Sequence, residues 1–319
     1  MTLPAIAVVS LAVALVVTPA AMVVARRSDI MDRPGALKSQ VTPVPYLGGV
    51  GVFAGLAVGV LAGRPSILVP MALALALGVA DDRVGLPPLP RVVGEVVVGV
   101  AVVLTCPLHL PGAAGIALVA VTVLLINGVN LIDGLDLLAG GVTALAALGF
   151  AVLAHGWGRQ TAVALAAALG GFLWFNRPPA RVYLGDGGSY LLGTALAVLL
   201  ASVWAPHVPV ATGTAALALV ALPAAEVAFA VVRRMRGRQS LVTGDRRHPY
   251  DRLVSRGWGR PAASGAYIGA EAVLAVGAVI AAHRSSLAVA VVVDVVAAAA
   301  LTVLAGAVGA LAPDSEVPS

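Results

Sequence analysis

The chain has 319 residues, of which 60% are hydrophobic and 11% are charged, and its formal net charge is +5. A soluble domain is about 45–50% apolar and about a quarter charged, so this composition excludes an ordinary water-soluble enzyme. The apolar residues form long uncharged blocks, such as 210–232 and 286–311, and each could cross about 30 Å of hydrocarbon as a helix. The sequence therefore predicts an all-α, polytopic integral membrane protein.

The first apolar block, residues 3–25, is similar to the hydrophobic part of a signal peptide. However, no basic residue precedes it, it is longer than a typical signal-peptide core, and Arg26 and Arg27 follow it. We therefore expect a retained first span. Cys106 is the only cysteine, so the chain has no intrachain disulfide.

Apolar blocks separated by polar, Gly-rich and Pro-rich breakers predict eleven membrane spans. They cover approximately residues 3–25, 46–63, 66–80, 92–108, 112–126, 137–155, 160–175, 188–205, 209–232, 262–282 and 286–312. The third, fifth and seventh are short, and each continues into a polar motif that could extend its helix. Since no soluble segment or repeat separates the spans, we expect residues 1–319 to form a single transmembrane domain.

The positive charges are divided unequally between the loops. All 20 lysines and arginines except Arg64, Arg159 and Arg284 lie in loops that follow odd-numbered spans. The positive-inside rule places these loops in the cytoplasm, the N-terminus outside and the C-terminus inside. Membrane orientation thus accounts for the basic charge, and no nucleic-acid partner is predicted. Five polar segments follow spans one, three, five, seven and nine, so all five are predicted to lie on the cytoplasmic face.

The first two polar segments contain acidic residues near the membrane edge. The first holds Asp32, Lys38 and a Pro- and Gly-rich turn at 43–49. Lys38 could attract a phosphate or simply anchor the membrane segment. The second is Asp81-Asp82, at the end of span three. Adjacent carboxylates there are costly unless they bind a cation or take part in chemistry. The alternative is an exposed helix C-terminus, where acids oppose the helix dipole.

The third and fourth polar segments are rich in oxygen ligands. Segment 127–136 interleaves amides and carboxylates with glycine; these side chains are Asn127, Asn130, Asp133 and Asp136. Segment 181–189 places Asp186 between two glycines, with room for a metal ion and a diphosphate. Tyr183 could stack on a planar base or belong to an interfacial aromatic belt. Asn176 precedes this segment at the end of span seven.

The fifth segment is a long basic loop, residues 233–260. Clustered arginines can bind a diphosphate, or they can lie against anionic lipid. For residues 233–238 we expect lipid contact, and for Arg247 and His248 we expect a role in the site. Arg91 could face a phosphate or anchor span four.

Acidic residues inside spans are functional candidates by default because a buried carboxylate is costly in hydrocarbon. Three occur here, namely Glu226, Glu271 and Asp294. A transporter would also be polytopic and Gly-rich. It should, however, place its polar residues near mid-membrane and often show two related halves. In this sequence the polar segments instead cluster at one face.

The segments together resemble the polyprenyl-phosphate N-acetylhexosamine-1-phosphate transferase family, also called glycosyltransferase family 4, from residue 32 to about residue 253. The motifs that carry the resemblance are, first, Asp32-x-Pro34 together with Pro43-x-Pro45-x-x-Gly48-Gly49; second, Asp81-Asp82; third, Asn127-x-x-Asn130-x-x-Asp133-Gly134-x-Asp136; and fourth, Asn176 followed by Gly185-Asp186. Four such motifs, in this order and on one membrane face, form a specific pattern.

This resemblance implies transfer of a sugar-1-phosphate, expected to be GlcNAc-1-phosphate, from a UDP-sugar to polyprenyl phosphate with release of UMP. It implies Mg²⁺, with Mn²⁺ as a substitute, and a bacterial plasma membrane. Asn130 and Asp186 are then expected to hold the metal. The implied catalytic residues are Asp81, Asp82, Asp186 and His248. The implied substrate-binding residues are Lys38, Arg91, Asn127, Asp133, Asp136, Asn176, Tyr183 (on uracil) and Arg247.

Two positions depart from the family pattern. His248 is the only histidine left of a His-rich run that follows the basic loop in many members, and Leu137 replaces a common glycine. The sugar therefore stays open. The missing histidines and the eleven spans favour a GlcNAc-type enzyme over a phospho-MurNAc-pentapeptide transferase. The alternative functions are another UDP-HexNAc specificity, an inactive lipid-binding relative and a transporter. The protein could also assemble as a homodimer.

Overall fold

The computed structural model describes residues 1–33, 42–107, 112–205, 208–240 and 247–312. Within these ranges the regular secondary structure is helical apart from one short antiparallel strand pair, which confirms the predicted all-α class. Six helices are long and apolar enough to cross a membrane, and shorter apolar helices accompany them. Lys38, one of the predicted phosphate-binding residues, lies outside the described residues.

The described ranges contain thirteen α-helices. In chain order they are α1 (Leu3–Arg27), α2 (Gly48–Gly63), α3 (Leu68–Val84), α4 (Pro88–Thr105), α5 (Gly112–Ile132), α6 (Leu138–Leu153), α7 (Gly156–Asn176), α8 (Gly185–Ser202), α9 (Val210–Ala215), α10 (Ala221–Arg236), α11 (Pro249–Ser255), α12 (Arg260–His283) and α13 (Leu287–Ala307). Strands β1 (Met31–Asp32) and β2 (Val44–Pro45) pair between α1 and α2.

Each of the predicted spans coincides with a helix, and the ninth coincides with the pair α9 and α10. The helices of the short third and fifth spans extend through their polar motifs. Helix α3 includes Asp81 and Asp82, and α5 includes Asn127 and Asn130. These side chains are therefore held on rigid helix ends and not in loops.

The ninth predicted span is not one continuous α-helix, because a 3₁₀ segment at Ala216–Val220 separates α9 from α10. The carboxylate of Asp294, on α13, accepts a hydrogen bond from the backbone N–H of Ala218 in this segment. This contact satisfies a backbone donor where the regular helix is interrupted. Glu271, on α12, is fully buried, and its carboxylate oxygens have no hydrogen-bond partner within the described part of the chain.

Helix α8 lies at the centre of the molecule, and all of its residues except Asp186 are buried. It packs against α3 and α5 at very short range. A Cβ atom on Gly78 of α3 would come within 2.2 Å of the Asp186 carbonyl oxygen, and one on Gly193 within 2.5 Å of the Ile126 Cα. Glycine thus lets the three backbones touch, and the polar ends of α3, α5 and α8 meet at one place.

Candidate active site

Asp82 joins the end of α3 to the beginning of α8. Its two carboxylate oxygens accept hydrogen bonds from the backbone N–H groups of Asp186, at 3.0 Å, and Gly187, at 3.2 Å. The first N–H groups of a helix have no partner within the helix and carry partial positive charge, so a carboxylate is favourable there. Asp82 therefore fixes the position of the Asp186 backbone, from which the Asp186 side chain extends.

Asn130 and Asp186, the two residues implied to hold a metal ion, are in direct contact. The Asn130 side-chain amide donates to Asp186 Oδ1 at 2.7 Å and to Ser189 Oγ at 3.1 Å. The Ser189 hydroxyl in turn donates to the Asp186 carbonyl at 3.2 Å. Because Asn130 uses its N–H₂ group for these bonds, its amide oxygen points away from the carboxylate.

Asp81 is buried and held by groups from two helices and one turn. Tyr190, on α8, donates its hydroxyl hydrogen to Asp81 Oδ2 at 2.6 Å, and the Leu86 backbone N–H donates to Oδ1 at 2.7 Å. The Arg91 guanidinium lies 4.0 Å from Oδ2. Both oxygens of Asp81 therefore already accept hydrogen bonds, and the side chain is fixed.

A further chain of polar contacts runs from Arg91 to the third motif. Glu95, which is fully buried on α4, lies 3.8 Å from Arg91 Nε. The Asn127 amide donates to its other carboxylate oxygen at 2.6 Å. Asn127 contacts Glu95, and Glu95 contacts Arg91, so Asn127 can orient the arginine through the glutamate.

Two acids of the third motif, Asp133 and Asp136, lie in the turn after α5. Burial raises the pKa of Asp133 well above its usual range, and the nearby carboxylates of Asp186, Asp82 and Asp136 raise it further. Burial also raises the pKa of Asp136, although the Ala180 N–H, at 3.1 Å, partly offsets this. Several carboxylates thus lie close together, an arrangement that a bound cation would stabilise.

Asn176, a predicted substrate-binding residue, has both ends of its side-chain amide bound to backbone groups. Its amide oxygen accepts from the Leu137 backbone N–H at 2.8 Å, and its amide nitrogen donates to the Val182 carbonyl at 2.9 Å. Leu137 has a positive φ of 68°, so the bond supports an unfavourable backbone conformation. Asn176 is buried and connects the third and fourth motifs through their backbones.

Tyr183 is half-buried beside the strand pair. Its ring centroid lies 6.3 Å from that of Tyr46 at an angle of 46°, and its backbone N–H donates to the Pro45 carbonyl at 2.9 Å. Burial raises the pKa of Tyr183 to about 12, so the phenol stays neutral at physiological pH. A neutral aromatic face is therefore available beside the first motif.

His248 begins α11 and is buried. Its Nδ1 lies 3.0 Å from a carboxylate oxygen of Glu226 on α10, and its ring stacks on Tyr250 at a centroid distance of 5.4 Å. The Tyr250 hydroxyl donates to the Leu131 carbonyl at 3.0 Å, which places α11 against the third motif. Arg247 immediately precedes His248 and is half-buried.

Two arginines of the basic segment 233–260, Arg233 and Arg256, bind backbone carbonyls of the protein. Arg233 is 2% exposed and donates to the Ala310 carbonyl at 3.0 Å, and Arg256 donates to the Ala307 carbonyl at 2.8 Å. Both carbonyls lie at the end of α13, where the helix dipole favours a cation. The expectation of lipid contact is therefore wrong for Arg233, because it is buried and binds the Ala310 carbonyl, three residues after the end of α13.

Among the described residues, no group of three or more His, Cys, Asp and Glu side chains forms a metal-binding cluster. Asn130 and Asp186 instead offer one amide and one carboxylate side by side. Mg²⁺ is commonly bound by one or two carboxylates together with substrate phosphates and water. Asp186 offers its carboxylate to such an ion, and Asn130 would join it through its amide oxygen after the amide turns over, because its nitrogen faces Asp186 in this structure.

Three site residues were not among those predicted from the sequence. Tyr190 binds Asp81, Glu95 binds Asn127, and Ser189 binds Asn130. Glu95 could have been found, since it is a carboxylate within an apolar span. Tyr190 and Ser189 lie four and three residues after Asp186, positions that share a helix face with it.

The fold and the site define a membrane-embedded transferase of a known family. Residues 65–204 match the family described as Glycosyl transferase family 4, and the chain belongs to this family. It is 30% identical over 286 residues to a decaprenyl-phosphate N-acetylglucosaminephosphotransferase of Mycobacterium tuberculosis, covering 73% of this chain and 71% of that protein.

Two other relatives differ in how much of the chain they match. A probable undecaprenyl-phosphate N-acetylglucosaminyl 1-phosphate transferase of Bacillus subtilis is 28% identical over 274 residues, covering 78% of this chain and 76% of that protein. A phospho-N-acetylmuramoyl-pentapeptide-transferase of Desulforamulus reducens is 54% identical, but over only 74 residues, or 22% of each chain. The similarity to GlcNAc-phosphate transferases thus extends along most of the molecule, whereas the match to this pentapeptide enzyme is local.

Proposed function

We propose that the protein transfers GlcNAc-1-phosphate from UDP-GlcNAc to a polyprenyl phosphate, giving polyprenyl-diphosphate-GlcNAc and UMP. The observation that carries this proposal is the convergence of three separate motifs, in which Asp82 binds the backbone at Asp186 and Asn130 binds its side chain. The extended similarity to relatives named as GlcNAc-phosphate transferases supports the choice of sugar and acceptor.

Both substrates are anionic, so the reaction requires positive charge at the site. An oxygen of the lipid phosphate attacks the phosphorus that carries the sugar, and the bond from that phosphorus to the bridging oxygen of UMP breaks. We assign Arg91, which is half-buried beside Asp81, and Arg247, which is half-buried beside His248, to lowering the repulsion between the phosphates. Tyr183 offers the aromatic face for the uracil ring.

Mg²⁺ is proposed as the cofactor, with Asn130 and Asp186 as its protein ligands. When bound to the diphosphate, the ion supplies charge neutralisation and stabilises the leaving group. The high pKa of Asp133 is consistent with a site whose carboxylates repel one another until a cation binds. Mn²⁺ has similar oxygen-ligand chemistry and is expected to substitute.

Direct attack is favoured over a covalent aspartyl-phosphate intermediate. Both oxygens of Asp81 and both oxygens of Asp82 already accept hydrogen bonds, which lowers their nucleophilicity and fixes their direction. The lipid phosphate is itself ionised near neutral pH, so the reaction needs no strong base. We therefore assign both aspartates to positioning and to charge complementarity around the acceptor phosphate.

We further propose that the chain crosses the membrane eleven times, with the active site on the cytoplasmic face. The distribution of lysine and arginine between loops supports this orientation. UDP-sugars are cytoplasmic metabolites, whereas the polyprenyl acceptor never leaves the bilayer. A site at the ends of α3 and α5 and the beginning of α8 would be accessible to the UDP-sugar from the cytoplasm and to the polyprenyl phosphate from the bilayer.

The test uses purified protein in detergent with polyprenyl phosphate, Mg²⁺ and a panel of UDP-sugars, and it follows UMP release. Release that requires lipid, Mg²⁺ and UDP-GlcNAc, and that is lost in Asp186→Asn, supports the proposal. Asp294→Asn is the matched control, because it changes an aspartate of α13 that contacts the backbone of Ala218 instead of the site. No UMP from any UDP-sugar with folded protein would overturn the proposed function.

A further inference from the structure

We propose that Glu226 and Tyr267 are positioning residues that hold the imidazole of His248 toward the active site. Glu226 lies on α10, Tyr267 on α12, and His248 at the start of α11. The kinetic effects expected here rest on the proposed function. The effect expected on the ¹⁵N signal of His248 rests on the contacts alone.

The two oxygens of the Glu226 carboxylate have different partners. One oxygen lies 3.0 Å from His248 Nδ1, and the other accepts a short hydrogen bond from the Tyr267 hydroxyl. Glu226 is 2% exposed and His248 is 3% exposed, so solvent does not compete for these bonds. The carboxylate therefore determines the orientation of the imidazole, and Tyr267 determines the orientation of the carboxylate.

Glu226 also borders a largely apolar cavity. A cavity of about 320 Å³ adjoins Glu226 and Tyr267, and much of its lining is hydrocarbon from residues such as Leu222, Phe229 and Leu304. A carboxylate in such surroundings is costly unless it is paired and hydrogen-bonded. Its retention there is explained if it serves the histidine rather than the packing of the helices.

The position of His248 connects this pair of contacts to the proposed chemistry. The ring stacks on Tyr250, whose hydroxyl donates to the Leu131 carbonyl within the third motif. A Cβ atom on Gly134 would come within 2.3 Å of the Tyr250 hydroxyl, so no larger residue fits there without a shift. The stack on Tyr250 therefore holds the histidine beside the third motif.

The kinetic test compares Glu226→Gln and Tyr267→Phe with His248→Ala. We expect Glu226→Gln to lower kcat about 10-fold or more and Tyr267→Phe less, as found for residues that orient a functional histidine. In the His248→Ala background, Glu226→Gln should cause no further loss, because it acts only through the ring. The matched control is Glu271→Gln, a buried glutamate on α12 without a hydrogen-bond partner among the described residues, which should keep full activity.

The second measurement needs no activity. In ¹⁵N-histidine-labelled protein, the His248 signal, assigned by its loss in His248→Ala, should move in Glu226→Gln and stay unchanged in Glu271→Gln. An unmoved His248 signal, or kinetic losses that multiply in the double variant, would overturn the inference. If wild-type protein released no UMP, the proposed function would fail, and the ¹⁵N shift would still decide whether Glu226 positions His248.

Discussion

The carboxylate of Asp82 receives the backbone N–H groups of Asp186 and Gly187, although 104 residues separate Asp82 from Asp186 in the sequence. The contact joins the last turn of α3 to the first turn of α8. Because Gly78 already brings the two backbones together, Asp82 sets the rotation of α8 and hence the direction of the Asp186 side chain. The second motif therefore acts partly by holding the fourth in place.

Two substitutions of Asp82 should distinguish the contribution of its charge from that of its hydrogen bonds. Asp82→Ala removes both, so we expect a loss of about 1 kcal/mol or more of stability and nearly complete loss of UMP release. Asp82→Asn keeps one acceptor oxygen and should lose less stability, while activity still falls about 100-fold. Thermal unfolding and initial rates in detergent distinguish the two effects. Equal loss of stability in both variants would contradict the hydrogen-bonding role.

The metal proposal predicts a specific defect for Asp186→Asn. The amide is neutral and a weaker ligand, so the rate should fall about 100-fold or more and the Mg²⁺ concentration for half-maximal rate should rise. Asn130→Ala should shift the Mg²⁺ requirement in the same direction. The measurement is a Mg²⁺ titration of UMP release, with Asp294→Asn as the control. An unchanged Mg²⁺ requirement would argue against Asp186 as a ligand.

The helices and the polar ends of the site could be predicted because both have strong signals in the sequence. Long apolar blocks define membrane helices, and a carboxylate such as Asp186 among glycines has few purely structural explanations. The family resemblance implied that Asn130 and Asp186 would hold one metal ion, and the structure brings their side chains together, with the Asn130 amide donating to Asp186 Oδ1.

The remaining contacts could not be predicted because these helices are apolar on every face. Lipid and neighbouring helices are equally hydrophobic, so the pattern does not show which side of a helix is buried. The bond from Tyr190 to Asp81 depends on the rotation of α8. The burial of Arg233 depends on where α13 ends, and the two bonds of Asn176 depend on backbone that is distant in sequence.

The close packing of α3 and α8 predicts that Gly78 cannot be enlarged. A Cβ atom there would come within 2.2 Å of the Asp186 backbone, so Gly78→Ala should cost about 1–3 kcal/mol and lower activity by displacing Asp186. Gly265→Ala, on α12, is the matched control because no atom lies within 4 Å of its Cβ position. Gly78→Ala should have a lower melting temperature and slower UMP release than Gly265→Ala. Equal behaviour would refute the contact.

The raised pKa of Asp133 predicts a pH-dependent effect on stability. A carboxyl whose pKa is higher in the folded state destabilises the fold when it ionises. The penalty is absent below the unfolded pKa, near 4, and grows as pH rises toward the folded pKa. In EDTA, Asp133→Asn should therefore raise the melting temperature at pH 7–8 by about 2 °C or more and leave it unchanged near pH 4. A gain that is equal at both pH values would exclude this cause.

Tyr190 is predicted to act through Asp81. Its hydroxyl donates to Asp81 Oδ2 at 2.6 Å, and among the described residues the Arg91 guanidinium, at 4.0 Å, is the partner left to that oxygen without it. Tyr190→Phe should therefore lower kcat about 10-fold, less than Asp81→Ala, since the carboxylate charge remains but its direction is no longer fixed.

The two substrates should respond differently to this change. If Asp81 positions the acceptor, Tyr190→Phe raises KM for polyprenyl phosphate and leaves KM for the UDP-sugar unchanged, because the sugar nucleotide is bound through other residues. Thr194→Val, one turn further along α8, is the control, since the Thr194 hydroxyl donates to the Tyr190 carbonyl of its own helix and not to Asp81. Steady-state kinetics with each substrate varied in turn give the answer. A rise in KM for the UDP-sugar alone would place Asp81 on the donor side of the reaction.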